Sequence, residues 1–300
     1  MRLYDFMAKV ENKDSLTTYQ DFLDFTRNYL DFVGLGRDRH PNIQADIISE
    51  KESNYHFIQY KDDGSYCVTR PINTDIFVVA DDFDDASREF IYSLNHIRDI
   101  ETDQQARDNI NRIIYTCQQC VGCTLDAFNN PNKARKRNGT LFEVLIRDVI
   151  RSVGVTCDSG DEYVAISDDD QMKFQHDAII KRSDQTIAGI GQLKTSSKDR
   201  IDKIFLDKWM YNSIKDVGIP HFAIFLNDVQ RASNRRDGNY CISSTFLPGH
   251  FKAYTMALIP LDGVYYFDLR PNMQEDEYLS RRIYKFDKFL VEDMWRLIES

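Results

Sequence analysis

Apolar residues recur at helical spacing over residues 19–33. Phe22, Leu23, Phe25, Tyr29, Leu30 and Val33 share one side there, and Gly34-Leu35-Gly36 follows as a stop. Ile76-Phe77-Val78-Val79-Ala80 predicts a strand that runs into Asp81-Asp82-Phe83-Asp84-Asp85 and a helix over 86–95. Acidic residues at a helix start are favoured by its dipole, which explains this cluster better than a calcium site does. Residues 107–125 predict another helix. Asn129-Asn130-Pro131-Asn132 then breaks the pattern and sets a boundary between an N-terminal, partly helical region (1–130) and a second region (131–300).

Beyond the break the predicted order is helix, three strands, helix, strand. The first helix covers 140–153, with Phe142, Leu145, Ile146, Val149, Ile150 and Val153 on its apolar face, and ends at Gly154. Strands are predicted over 163–166, 174–181 and 186–195, the last two joined by the turn Arg182-Ser183-Asp184-Gln185. The next helix covers 198–215, with Ile201, Ile204, Phe205, Trp209 and Ile214 on one side, before a strand over 221–226. A hairpin over 254–269 around Asp262-Gly263 and a closing helix over 286–299 complete the chain. The fold class is mixed α/β (α+β), a central mixed sheet flanked by helices.

Composition adds limits. The chain has 300 residues, 42% hydrophobic and 29% charged, as in one large globular domain or a core with an appended subdomain. No apolar run approaches the roughly 20 residues of a membrane helix, and Met1-Arg2-Leu3-Tyr4-Asp5 begins no signal peptide, so a cytoplasmic protein without a membrane partner is expected. Six cysteines in this length do not form a disulfide scaffold. The net charge of -10 lies wholly in residues 1–130, with 13 Lys+Arg against 23 Asp+Glu; residues 131–300 balance at 25 each. Nucleic-acid binding therefore depends on a local field in the second region.

That region gathers a specific set of side chains. Strands 174–181 and 186–195, joined by a tight turn, bring Asp177 near Gln192, and Gln192 and Lys194 share a face because they are two apart on a strand. A carboxylate and an amide oxygen suit Mg²⁺, and an ammonium beside them can orient a water or offset charge on a phosphate. Each residue also has a plainer role. Glu143, three after Thr140, fits a helix capping box. Asp177 can form a structural ion pair with Lys194, and Gln192 can be merely hydrogen-bonded. Asp168-Asp169-Asp170 reads as an exposed turn.

These residues carry a resemblance. His176-Asp177-Ala178-Ile179-Ile180 followed by Gly191-Gln192-Leu193-Lys194 resembles the PD-(D/E)XK nuclease motif in its variant with glutamine in the middle position. Gly139-Thr140-Leu141-Phe142-Glu143 is similar to the helix that often supplies an extra glutamate in that superfamily. Thr195-Ser196-Ser197-Lys198-Asp199-Arg200 resembles the lysine-serine-rich lead-in to the next helix of many type II restriction endonucleases. The element order over residues 138–227 matches the superfamily core. His176 stands where proline is usual, and Gln192 where an acid is usual, a charge that Glu143 would restore.

The resemblance implies a restriction-endonuclease-like core and Mg²⁺-dependent hydrolysis of double-stranded DNA at a specific sequence. It further implies a homodimer in a prokaryotic cytoplasm, with no nucleotide cofactor. Asp177, Gln192, Lys194 and Glu143 would be catalytic, and Asp177, Gln192 and Glu143 the metal ligands. Candidate DNA contacts are Arg135, Lys136 and Arg137 in a basic run, Ser197, Lys198, Arg200 and Lys203, and Arg231, Asn234, Arg235 and Arg236 after the strand at 221–226. The alternatives are a repair or structure-specific nuclease with the same core, and a non-catalytic DNA-binding protein. Cys117, Cys120 and Cys123 fall within a helical pattern with no fourth ligand near, so core packing is preferred to zinc.

Overall fold

A computed structural model describes residues 2–33, 43–49, 54–60, 64–197, 200–236 and 239–300. The chain opens with α1 (Leu3–Glu11) and α2 (Tyr19–Val33), then β1 (Ile43–Ser49), β2 (Asn54–Tyr60), β3 (Tyr66–Val68) and β4 (Ile72–Asn73). The predicted stop at Gly34-Leu35-Gly36 lies outside the described residues. Three helices follow: α3 (Ala80–Asn95), α4 (Gln104–Asp126) and α5 (Pro131–Ser152). Asp103 caps α4 by accepting from the Ala106 amide, and Asn130 caps α5, with Pro131 in its first turn.

The predicted strand at 76–80 is instead the buried approach to α3. The Val78 amide donates to Thr116 Oγ1 at 2.9 Å and the Phe77 amide to the Asn73 carbonyl at 3.1 Å. An apolar run alone does not separate a strand from a buried lead-in.

After α5 come β5 (Thr156–Ala165), β6 (Gln171–Lys181), β7 (Ile187–Ser196), α6 (Ile201–Lys215) and β8 (His221–Asn227). They keep the predicted order, although β5 begins well before 163. Gly154, at φ 87°, makes the turn between α5 and β5. β9 (Val229–Arg236) and β10 (Asn239–Ser244) form a hairpin, and α7 (Pro248–Ala257) leads to β11 (Gly263–Tyr266). The predicted 254–269 hairpin is therefore absent. β11 instead returns parallel to β8, with Gly263 beside Phe222, by way of the crossover through α7. The short helices α8 (Pro271–Glu275) and α9 (Glu277–Ser280) precede β12 (Ile283–Lys285). The closing helix starts as α10 (Phe286–Lys288), passes through a π turn at Phe289–Asp293, and ends as α11 (Met294–Glu299).

Six strands form one mixed sheet in the order β12-β11-β8-β7-β6-β5. β5, β6 and β7 are antiparallel, while β7, β8, β11 and β12 run parallel. On one face α1 to α5 and the closing helix share a core with Ala178, Ile180 and Leu193. On the other, α6 and α7 pack on Ala223, Phe225, Val264 and Tyr266. One prediction for α6 is reversed here. Trp209 is 46% exposed, whereas Lys208 is buried, donating to the Pro260 carbonyl and to Asp262 Oδ2, both at 2.6 Å. Among the described residues no helix is long and apolar enough to cross a membrane.

Candidate active site

The site begins with two irregularities in the antiparallel meander. Near the turn, Ile180 pairs with Gly189 but Lys181 pairs with Ile187, so Ala188 is an extra residue. In the middle of β6, Ile179 faces Asp158 and His176 faces Gly160, leaving Asp177 and Ala178 opposite the single residue Ser159. Such a bulge bends the strand and re-aims its side chains. His176 turns into the packing beneath α6, stacked on Phe174 and edge-on to Tyr211. Asp177 turns toward β7.

The β6–β7 ladder ends at Ala178 and Gly191, a register that continues to Asp177 and Gln192. There the Asp177 side chain takes over from the backbone. Its Oδ2 accepts the Leu193 amide at 2.9 Å and also the Lys194 ammonium. Asp177 is 5% exposed, and a carboxylate that deep requires such partners. Gln192 Nε2 donates to the Gln175 carbonyl at 3.0 Å. The sequence-predicted trio Asp177, Gln192 and Lys194 thus meets in one place.

These three line a cavity of about 110 Å³ together with Gln175, Arg200, Lys203, Ile204 and Asp207. Asp207 is the residue that sequence reasoning missed. It stands on α6, four residues after Lys203, whose ammonium is 3.7 Å from its carboxylate. Burial raises its carboxyl above the usual range, opposed by Lys203, His176 and Lys194.

Glu143 approaches from α5. The helix starts at Pro131, so Thr140 lies in its interior and caps nothing; its hydroxyl donates back to the Lys136 carbonyl at 3.2 Å. The capping explanation for Glu143 is therefore set aside. Burial pushes the Glu143 carboxyl up to about 7, the charge of Asp177 adds to the shift, and Lys194 and Arg147 oppose it. Arg147, one turn on, donates to the Asp177 carbonyl oxygen at 2.7 Å and ties α5 to the bulge.

The donor set suits a hard divalent cation. Both protein bonds to Asp177 fall on Oδ2, which leaves Oδ1 without a protein donor among the described residues. Gln192 spends its NH₂ on Gln175, leaving its amide oxygen as the acceptor. Burial holds two further carboxyls, Glu143 and Asp207, above their ordinary range. Among the described residues no three His, Cys, Asp or Glu side chains form a cage by themselves.

The basic candidates separate by environment. Arg135, Lys136 and Arg137 lie in the first turns of α5. Arg137 donates to the carbonyls of Val10 at 2.6 Å and Asn12 at 2.8 Å, and Arg135 reaches Asn132 at 3.1 Å, while Lys136 is exposed. Ser197 is buried with its hydroxyl 3.1 Å from that of Thr245, and Arg200 and Lys203 line the cavity. Lys198 lies outside the described residues. Arg231, Asn234, Arg235 and Arg236 are on β9, where Arg235 pairs with Tyr240 and Arg236 with Asn239. Cys117, Cys120 and Cys123 are buried on α4 as free thiols in the core. Asp168, Asp169 and Asp170 occupy an exposed bend between β5 and β6.

The solved structure of the type IIP restriction endonuclease Kpn2I matches 99% of this chain and 97% of its own, with TM-score 0.71 and 18% sequence identity. The chain has a restriction-endonuclease-like fold. The restriction endonuclease PspGI, solved with substrate DNA, matches 72% of this chain and 92% of its own at 13% identity and TM-score 0.42. No protein-family model and no curated protein sequence matches the chain. Within the restriction-endonuclease-like fold, Asp177 sits on the bulged strand β6, Gln192 and Lys194 on β7, Asp207 on α6 and Glu143 on α5.

Proposed function

We propose that this chain is a type II site-specific deoxyribonuclease that hydrolyses phosphodiester bonds of double-stranded DNA with Mg²⁺. One observation carries the reading: Asp177, Gln192, Lys194 and Asp207 meet around one cavity at a strand bulge, with Glu143 in electrostatic reach. Asp177, Asp207 and the Gln192 amide oxygen, which line the cavity, would hold the ion together with water, and Glu143 would act on them through its charge. When bound, Mg²⁺ polarises the phosphoryl oxygen and lowers the pKa of water.

The chain's own residues supply the rest. Lys194, kept on Asp177 and three-quarters buried, orients an attacking water and offsets charge that develops on the phosphate. Arg200 and Lys203 draw the phosphate into the cavity. Glu143 and Asp207 accept protons readily while their pKa values stay raised, and lose them to a cation. Cutting both strands of a palindromic target calls for two such sites related by a two-fold axis, and the working form in this reading is a homodimer.

The test is digestion of a long bacteriophage DNA with Mg²⁺ and with EDTA. Discrete fragments with Mg²⁺ alone are expected, and Asp177→Ala and Lys194→Ala abolish cutting while DNA binding largely persists. A smear, or dependence on branched DNA, would move the assignment to a structure-specific nuclease. Unaltered cleavage in either variant sinks it.

A further inference from the structure

A glycine inside a helix weakens it relative to alanine, because the backbone loses more freedom on folding. Gly122 in α4 has a reason within the protein. A Cβ there would fall 2.1 Å from Arg70 Nη1, whose guanidinium lies against the helix and pairs with Asp126 at 3.0 Å. Gly139 in α5 has no such reason. It is not among the glycines with positive φ, and a Cβ on it would meet nothing within 4 Å.

The place of Gly139 on the helix suggests what approaches it. At about 100° per residue, Lys136, Gly139, Thr140, Glu143 and Arg147 fall on one stripe of α5. Arg147 fastens one end of the stripe to the Asp177 backbone, and Glu143, one turn before it, feels the charges of Asp177 and Lys194. Farther toward the helix start the stripe opens to solvent, with Thr140 and Lys136 both exposed. The neighbouring cations are engaged: Lys133 on Glu11, Arg135 on Asn132, Arg137 on α1. The Lys136 ammonium has no such partner among the described residues. It lies about 10 Å along the helix from Glu143, at 1.5 Å per residue.

Building on the nuclease reading, we infer that one strand of the DNA backbone runs along this stripe. Its sugar-phosphate chain lies against the bare backbone of Gly139, and Lys136 holds a phosphate near the one cut beside Glu143. A side chain at 139 holds the strand off the helix.

The test uses the full chain, with bacteriophage DNA as the probe. Gly139→Ala and Gly139→Leu are both helix-favouring, so the melting temperature holds or rises by about 2 °C. The KM for cleavage rises with side-chain size, by roughly tenfold or more for leucine, and kcat moves less. Lys136→Gln lowers the slope of log affinity against log salt by about 0.9. An unchanged KM in Gly139→Leu, with wild-type cutting intact, overturns the path and leaves the nuclease reading standing. A melting temperature that falls in step with the lost activity assigns Gly139 to folding and overturns it as well. If the wild-type chain neither cuts nor binds DNA, both readings fall together.

Discussion

The Asp177 carboxylate closes the β6–β7 ladder by accepting the Leu193 amide at 2.9 Å, between Gln192 and Lys194. One side chain therefore fixes the register of the two strands and seats the Lys194 ammonium. Asp177→Asn separates the two roles, because it keeps an oxygen for Leu193 but removes the charge. It should melt within a few degrees of wild type and cut at least about 10²–10³-fold more slowly. Asp177→Ala, which orphans a buried amide, should lose about 1–3 kcal/mol besides. Equal stability of the two variants in urea titrations would dissociate Asp177 from the register.

Asp207 makes a sharper test of the proposed metal site, because its half-buried carboxylate lines the cavity and its one ion pair among the described residues is a 3.7 Å approach to Lys203. Burial raises its pKa, so the charged form weakens the fold above that pKa, and Asp207→Asn should be at least as stable as wild type at pH 8. Cleavage should nevertheless fall by about 10²-fold or more, mainly in kcat. A variant that loses less than about threefold in kcat would reduce Asp207 to a partner of Lys203.

The contrast between these two residues shows what the sequence makes legible. Asp177, Gln192 and Lys194 are connected by a short turn, so strand alternation alone places them together. The bulges at Ala188 and at Asp177–Ala178 are invisible to period-two patterning, and the second one aims the carboxylate. Asp207 reaches the site through the packing of α6 on the sheet, a tertiary relation without local signature, and the exposure of Trp209 against the burial of Lys208 shows how far the α6 pattern misleads. Glu143 was ambiguous for a different reason. Thr140 mimics a helix start, and only the continuation of α5 back to Pro131 removes the cap. At residues 76–80 and 254–269 the sequence pattern and the structure differ because an apolar run fits several buried conformations.

Glu143 sets a pH dependence. Its carboxyl is pushed up to about 7 from 4.5, chiefly by burial, so the folded protein holds a proton that the unfolded chain has lost. Stability should fall as pH rises from about 4.5 to 7 and stay level above, the loss being on the order of 3 kcal/mol at most. Glu143→Gln has no proton to lose. In EDTA it should match wild type near pH 4.5 and melt higher at pH 8, while cutting more slowly with Mg²⁺. A gap in melting temperature that is the same at both pH values would show that the charge of Glu143 is not its source.

Arg137 was a candidate phosphate contact, yet its guanidinium is bound into the protein, on Val10 and Asn12 at the end of α1. Those carbonyls close the C-terminus of a helix, where a cation is favoured and where α1 is joined to α5. Arg137→Ala should therefore act on the fold, with a loss of about 2–3 kcal/mol in urea unfolding, typical of hydrogen bonds from a charged donor. The slope of log DNA affinity against log salt should stay at its wild-type value, whereas Lys136→Gln, one residue earlier, should lower it by about 0.9. Neutralised charge is thus separated from lost packing by a readout that instability does not move. A slope that falls as far in Arg137→Ala as in Lys136→Gln would return Arg137 to the DNA-contacting surface.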